Sequence, residues 1–343
     1  MLVSEFDYYL PPELIAQHPL PKREQSRMMV VKRDSGDITH SHFSHFPYFL
    51  NDKDMLVLND TKVLPAKIWG EKEGKTIEFL FIKQHSPDIW EVLCRPARKI
   101  NIGDTIYFEN GYKGKIIDKG PEGRKKIHFF SNNIISLLKK TGYAPLPPYI
   151  KREEQTQKIR KKDIGRYQTV FARKEGAIAA PTAGLHFTPE ILKKIQSKGV
   201  SIQKITLDVG LATFKPVRKE YTEEIKMLEE TYEISQSAEE NLNKAIQESK
   251  SIVSVGTTTV RALESSFQNK KIIPGKRSTD LFISPGYDFK VIDKLLTNFH
   301  LPKSTLLMLV SAFAGLDLIK KAYKEAVQKR YRFFSYGDCM FII

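Results

Sequence analysis

The stretch I-V-S-V-G-T-T-T-V-R-A-L-E-S-S-F, Ile252 to Phe267, reads as a strand that turns directly into a helix. Ile252 to Val255 is the strand, Gly256-Thr257-Thr258-Thr259 the turn and Val260 to Phe267 the helix. Such a unit is the building block of an α/β fold. The same rhythm continues on both sides. Upstream, helix Pro189 to Lys198 carries Ile191, Leu192 and Ile195 on one face and stops at Gly199. Strand Val200 to Val209 follows, and helix Ala238 to Lys250 presents Leu242, Ala245 and Ile246. Downstream, Leu281 to Ser284 reads as a strand ending at Pro285-Gly286. Helix Lys303 to Ala314 is apolar on nearly all sides, hence central, and Leu316 to Gln328 is amphipathic and surface-lying. The alternation predicts a mostly parallel sheet with flanking helices.

Residues 63–150 have a different texture. Short strands are expected at Lys67 to Trp69, Thr76 to Ile82, Ile89 to Leu93, Thr105 to Phe108, Lys113 to Ile117 and Lys126 to Phe130. Glycines 70, 74, 103, 111, 120 and 123 punctuate them. That spacing predicts a small antiparallel β-barrel, followed by a short helix Ile134 to Lys140 and a stiff exit through Tyr143 to Tyr149. The barrel, 63–150, is then an insertion into a discontinuous α/β domain made of 1–62 and 151–343. In its first part, strands are expected at Met28 to Lys32, from Ile38 and at Met55 to Leu58, with a short helix near Pro12. Lys151 to Arg166 is densely charged, with little apolar periodicity, and reads as a mobile loop or linker.

With 343 residues, 41% hydrophobic and 28% charged, the chain is globular and long enough for two domains. Met1 to Leu10 lacks the apolar segment of a signal peptide. The longest apolar run, Thr305 to Leu316, is too short to span a bilayer. Cys94 and Cys339 have no metal-type spacing, so a reducing, cytoplasmic setting without structural zinc is expected. The net charge of +15 points to a polyanionic partner, nucleic acid first, or simply to solubility. Lys158, Arg160, Lys161 and Lys162 are the candidate phosphate contacts; a solvated linker is the plainer alternative.

Four stretches could carry chemistry. A-A-P-T-A-G-L-H-F-T, Ala179 to Thr188, is a shaped loop that delivers Thr182 and His186 to the start of a helix capped by Thr188. T-N-F-H-L-P-K-S-T, Thr297 to Thr305, again sets a histidine, His300, beside an aromatic and before a proline. These are the only histidines after His128, and histidine serves as acid, base or donor near neutral pH. A tight turn with a hydrogen-bonded histidine would look the same. Gly256 to Thr259 offers free amides, hydroxyls and a helix dipole to an anion, without the lysine and glycine spacing of a nucleoside-triphosphate loop. Arg261 and Glu264, three apart, share a helix face and could form an internal pair. Tyr331 to Asp338 places aromatics around Arg332, suited to stacking a base or to closing the core as a C-terminal strand.

These stretches, with Y-Q-T-V-F-A (Tyr167 to Ala172), T-D-L-F-I-S-P-G-Y (Thr279 to Tyr287) and the opening D-Y-Y-L-P-P-E-L-I-A-Q-H-P, run through essentially the whole chain in order. Together they resemble the S-adenosylmethionine:tRNA ribosyltransferase-isomerase family of queuosine biosynthesis. The resemblance implies an α/β domain interrupted by a barrel. It implies transfer of the ribosyl part of S-adenosylmethionine, a co-substrate, onto 7-aminomethyl-7-deazaguanine in tRNA, with no cofactor or metal. It further implies a cytoplasmic monomer with no membrane contact. Motif by motif, it implies catalytic roles for Thr182, His186, Asn298 and His300, and Asp208, standing where the family has a histidine, is read as taking over part of that histidine's catalytic role. Substrate contacts are implied for Tyr167, Gln168, Gly184, Thr257, Thr258, Arg261, Glu264, Asp280, Lys303, Ser304, Arg332, Tyr336 and Asp338. The family pattern has histidine, glycine and a spaced histidine pair where this chain has Asp208, Ala212, Ile225 and Leu228, and Ser278 replaces a tryptophan; Glu230 is kept. A carboxylate at 208 would face the sulfonium, or merely cap a turn. The departures favour a second reading, a tRNA- or S-adenosylmethionine-binding protein without turnover. A third is a methyltransferase acting on RNA.

Overall fold

The computed structural model describes residues 1–131, 133–152, 156–210, 217 and 219–343, with residue 122 by its backbone only. Four parallel strands form its centre, in the order Ser201–Leu207, Asp54–Asn59, Ser251–Val255 and Lys294–Asn298. Beyond them the sheet is mixed. Cys339–Ile342 runs antiparallel to Lys294–Asn298, Arg27–Val31 is parallel to Cys339–Ile342, and Ile38–His42 closes that edge as a hairpin. Glu230–Ile234 and Gly275–Thr279 add an antiparallel pair at the other edge. The central strands are buried on both faces because alternate residues serve two cores. Met55 and Val57 pack with helices Gln236–Gln247, Thr257–Ser266, Thr305–Ala314 and Leu316–Gln328. Leu56 and Leu58 pack with Phe43, Phe46, Phe187 and helix Pro189–Ser197 on the opposite face.

Between sheet strands Asp54–Asn59 and Ser201–Leu207 the chain makes a closed six-stranded antiparallel barrel, ordered Arg124–Phe129, Ile89–Arg95, Lys75–Gln84, Lys67–Lys72, Thr105–Phe108 and Lys113–Lys119. Its interior is Ile68, Phe79, Phe81, Trp90, Ile106, Ile127 and Phe129, with Leu137 and Leu138 of helix Ile134–Thr141 packed on it. Two glycines are steric requirements here. A Cβ on Gly70 would lie 2.6 Å from Ile106 Cγ2, and one on Gly114 would lie 2.8 Å from Ile127 Cγ1.

Three expectations are corrected. The stretch read as a linker is in part a helix, Gln157–Arg166, whose N-cap Thr156 accepts from Ile159 N. Arginines hold it in place of an apolar face. Arg152 forks onto Asp163 at 2.7 and 2.9 Å, and Arg160 reaches the carbonyls of Lys139, Lys140 and Gly142. Leu281 to Ser284 is not a strand, because the Leu281 carbonyl accepts from Arg261 Nε at 3.0 Å; the strand is Gly275–Thr279 just before it. The run of parallel strands is narrower than the alternation implied, with a wholly antiparallel flank on one side and a mixed one on the other.

Candidate active site

At the C-terminal ends of the central strands the chain leaves a cleft of about 600 Å³ including its open mouth. This end of a parallel sheet is where α/β proteins bind ligands. Four distant segments wall it: Pro181 to Ala183, Gly256 to Thr258, Thr297 to His300, and Phe334 with Ser335. Thr182, Thr257, Thr258, Asn298, His300 and Ser304, all among the candidate site residues named from the sequence, line it.

Asn298 is the hinge of this wall. Its Nδ2 faces the carbonyls of Phe334 and Asp338, each at 3.3 Å, which fixes the amide orientation. The same nitrogen donates to His186 Nε2 at 3.2 Å. His186 Nε2 is therefore an acceptor, so its Nδ1 carries the proton and donates to Ser26 Oγ at 2.9 Å. Asn298 Oδ1 is buried and has no partner among the described residues. His300 shares a hydrogen bond of 2.8 Å between Nε2 and Thr297 Oγ1, while its backbone is clamped by Tyr323 Oη and Tyr8 Oη. Burial lowers the pKa of both imidazoles to about 3, with Arg23 and Arg332 adding to the effect at His186. Both are neutral at physiological pH, where the sequence alone suggested titration near 7.

Helix Thr257–Ser266 points its N-terminus at the cleft. Gly256, at φ 89°, makes the turn that a side chain would strain and, as the N-cap residue, offers no side chain to cap the helix. Asn59 ties the turn to the neighbouring strand through Thr258 Oγ1 and the Leu207 carbonyl. Arg261 and Glu264 do not form the internal pair that their spacing allows. Arg261 is ion-paired with buried Glu230, which also accepts from Gly210 N. Glu264 instead accepts the backbone amides of Lys290, Val291 and Ile292 and the hydroxyl of Tyr287.

Over residues 3–342 the chain matches the family described as queuosine biosynthesis protein. The chain belongs to that family. S-adenosylmethionine:tRNA ribosyltransferase-isomerase from Halothermothrix orenii is 49% identical over 348 residues, covering 100% of both chains. The protein of the same name from Carboxydothermus hydrogenoformans is 48% identical over 345 residues, again covering 100% of both. The crystal structure of S-adenosylmethionine tRNA ribosyltransferase from Thermotoga maritima is 36% identical, covers 99% of this chain and 100% of its own, and superposes with a TM-score of 0.57.

In this member of the queuosine biosynthesis family several motif residues stand outside the cleft. Asp208 is on the far side of its strand end from Val209, which lines the cleft. Its carboxylate accepts from Thr61 Oγ1 at 2.9 Å and packs so closely on Gly176 that a Cβ there would lie 2.8 Å from Oδ1, and burial raises its pKa. Gln168 pairs with both backbone groups of Val63, and Gly184 leaves room for Phe171 and Thr169. Tyr167 is buried against Tyr336. Lys303 pairs with Asp7 at 2.7 Å and Asp280 is exposed, while Ser304, which does line the cleft, caps helix Thr305–Ala314. Asp338 accepts the amides of Arg27 and Arg332. Among the lysines singled out, Lys158, Lys161 and Lys162 are exposed, whereas Arg160 is engaged with the end of helix Ile134–Thr141. Ile225 packs at the edge of the main core and Leu228 is exposed. Ala212 lies outside the described residues, as do Leu211 and Thr213. Sequence reasoning missed Tyr149 and Ser335, which line the cleft and bond each other at 2.7 Å, and the Glu230–Arg261 pair. The only signal for the latter was the retained glutamate.

Proposed function

We propose that this chain is an S-adenosylmethionine:tRNA ribosyltransferase-isomerase. It moves the ribosyl part of S-adenosylmethionine onto 7-aminomethyl-7-deazaguanine in tRNA, giving epoxyqueuosine and releasing adenine and methionine. One observation carries the reading: four stretches singled out in the sequence, lying between residues 179 and 335, each give residues to the wall of one cleft at the ligand-binding end of the sheet. The uncapped start of helix Thr257–Ser266 suits the carboxylate of the methionine part. Asn298 Oδ1, a buried acceptor in want of a donor, suits an N–H of the adenine or of the incoming amine. The sulfonium acidifies its neighbouring C–H bonds and supplies its own leaving group, so the reaction needs no metal or redox cofactor. His300 is neutral and can exchange one proton at the ring nitrogen that Thr297 does not engage.

The tRNA approaches over the basic side of the molecule. Beside the cleft, a broad groove is lined by Gln17, His18, Lys151, Arg152 and Tyr149, and Tyr149 also walls the cleft. Exposed Lys158, Lys161 and Lys162 lie on the neighbouring helix. No helix among the described residues is long and apolar enough to cross a membrane; the proposal is a monomer acting in the cytoplasm. The test is product analysis after incubation with S-adenosylmethionine and precursor tRNA. Adenine and methionine support the reading. S-adenosylhomocysteine would make the protein a methyltransferase, and no product would make it a binding protein.

A further inference from the structure

Behind the cleft, on the other side of His186, lies a second pocket of about 270 Å³ that Arg23, Arg166, His186 and Tyr336 help to line. Three guanidiniums gather there. Arg23 and Arg166 are in its wall, and Arg332 is close enough to act, with Arg23, on the charge state of His186. None of the three is ion-paired with a carboxylate among the described residues. Their donors go to backbone carbonyls instead. Arg23 bonds Leu185 and Gly165 at 2.9 and 3.1 Å, Arg166 bonds Pro21 and Leu20 at 2.9 and 2.7 Å, and Arg332 bonds His18. These carbonyls satisfy hydrogens but neutralise no charge.

The acids within reach are already committed. Asp338 is near enough to Arg332 to offset part of its charge, but its oxygens accept the amides of Arg27 and Arg332 and not a guanidinium, and Asp163 is forked by Arg152. Arg166 Nε, Arg332 Nη1 and Tyr336 Oη are buried and have no acceptor among the described residues. Half-buried cations without a counter-charge are costly, and removing water from a charge is repaid only by an opposite one. The planar fork of arginine matches phosphate oxygens, and such charge-assisted bonds are among the strong ones. The chemistry asked for is a tetrahedral, multiply accepting anion.

We infer that this pocket binds one phosphodiester of the tRNA backbone, beside the nucleotide whose base enters the cleft. The inference rests on the tRNA reading above. The single side chain of His186 separates the two sites, bonded to Ser26 on the pocket side and to Asn298 on the cleft side. A phosphate seated here would fix the register of the strand while its neighbouring base reaches the ribosyl donor.

The test uses the full-length protein and its Arg23→Gln, Arg166→Gln, Arg23→Lys and Arg166→Lys variants. Equilibrium binding of precursor tRNA is measured across a series of salt concentrations. Each glutamine variant should bind roughly tenfold or more weakly, and the slope of log K against log salt should shrink by about 0.7–0.9, the contribution of one phosphate contact. The lysine variants should keep the wild-type slope, and affinity for S-adenosylmethionine should not move in any of them. An unchanged slope in the glutamine variants overturns the inference. So does an equal loss in the glutamine and lysine variants, which marks the arginines as structural. If inorganic phosphate raises the melting temperature of the wild type alone while tRNA slopes are equal, the pocket takes free phosphate and the backbone assignment fails. Adenine release by the wild type is read separately, so a flattened slope without adenine release would sink the enzymatic reading and leave the phosphate site standing.

Discussion

Lowering the pH from 7 to 5 should destabilise the native protein through two particular histidines. His186 and His300 have pKa values of about 3 in the fold, because burial penalises their charged forms. In the unfolded chain each returns to about 6.5. Between those values the unfolded chain binds more protons than the native protein. Stability therefore rises with pH across that window, and it is lost as pH falls below 6.5. Integrated from pH 7 to pH 5, the loss is about 2 kcal/mol for each histidine and about 4 kcal/mol for the pair. Both rings are buried, at 3% and 8% exposure, so solvent screening removes little of this. Urea unfolding at the two pH values, run on the wild type and on His186→Gln and His300→Gln, isolates the effect. Glutamine keeps a donor and an acceptor but does not titrate, and the carboxylates titrate alike in all three proteins. Each variant should lose about 2 kcal/mol less than the wild type over the interval. Equal losses in all three would mean that the native histidines titrate like exposed ones, and the account of a neutral, desolvated pair would be refuted.

His300→Gln should also lower kcat roughly 10²-fold or more, the usual contribution of a proton-transferring group, and steady-state adenine release would show it; unchanged kcat would return His300 to a structural role. Glu230→Ala leaves Arg261 buried without its counter-charge and should cost about 3–5 kcal/mol in urea unfolding, with Arg261→Met in the same chain recovering part of the loss. Asp208→Asn keeps an acceptor for Thr61 and lies outside the cleft, so turnover should stay within about twofold; a hundredfold fall in kcat would assign the carboxylate to the chemistry.

Much of the fold was legible because each barrel strand is short and glycine-punctuated. Thr105–Phe108 was read to the residue, and the other five to within a few. The central α/β units were legible for the same reason: a change of period from strand to helix is a local signal. Helix Gln157–Arg166 carried no such signal, because arginine-to-carbonyl bonds and not an apolar stripe hold it down. Glu230–Ile234 alternates buried and half-buried residues, a signal that went unread; Lys294–Asn298 ends in Thr297 and Asn298, polar residues that only the cleft explains. At the site, sequence identified the loops but not the facing of single residues. Whether Asp208 or Val209 looks into the cleft is a one-residue alternation that a motif cannot decide. The neutrality of the two histidines depends on burial by Phe43, Tyr8 and other distant residues. The cluster of Arg23, Arg166 and Arg332 is assembled from segments that lie far apart in sequence.

The most direct test follows the ribose carbons. S-adenosylmethionine labelled with carbon-13 in its ribose is incubated with the protein and with tRNA carrying 7-aminomethyl-7-deazaguanine. The tRNA is then digested to nucleosides and weighed by mass spectrometry. The account predicts that all five labelled carbons appear on the deazaguanine nucleoside, one equivalent for each adenine released. Unlabelled tRNA, or a nucleoside heavier by a methyl group alone, would contradict it.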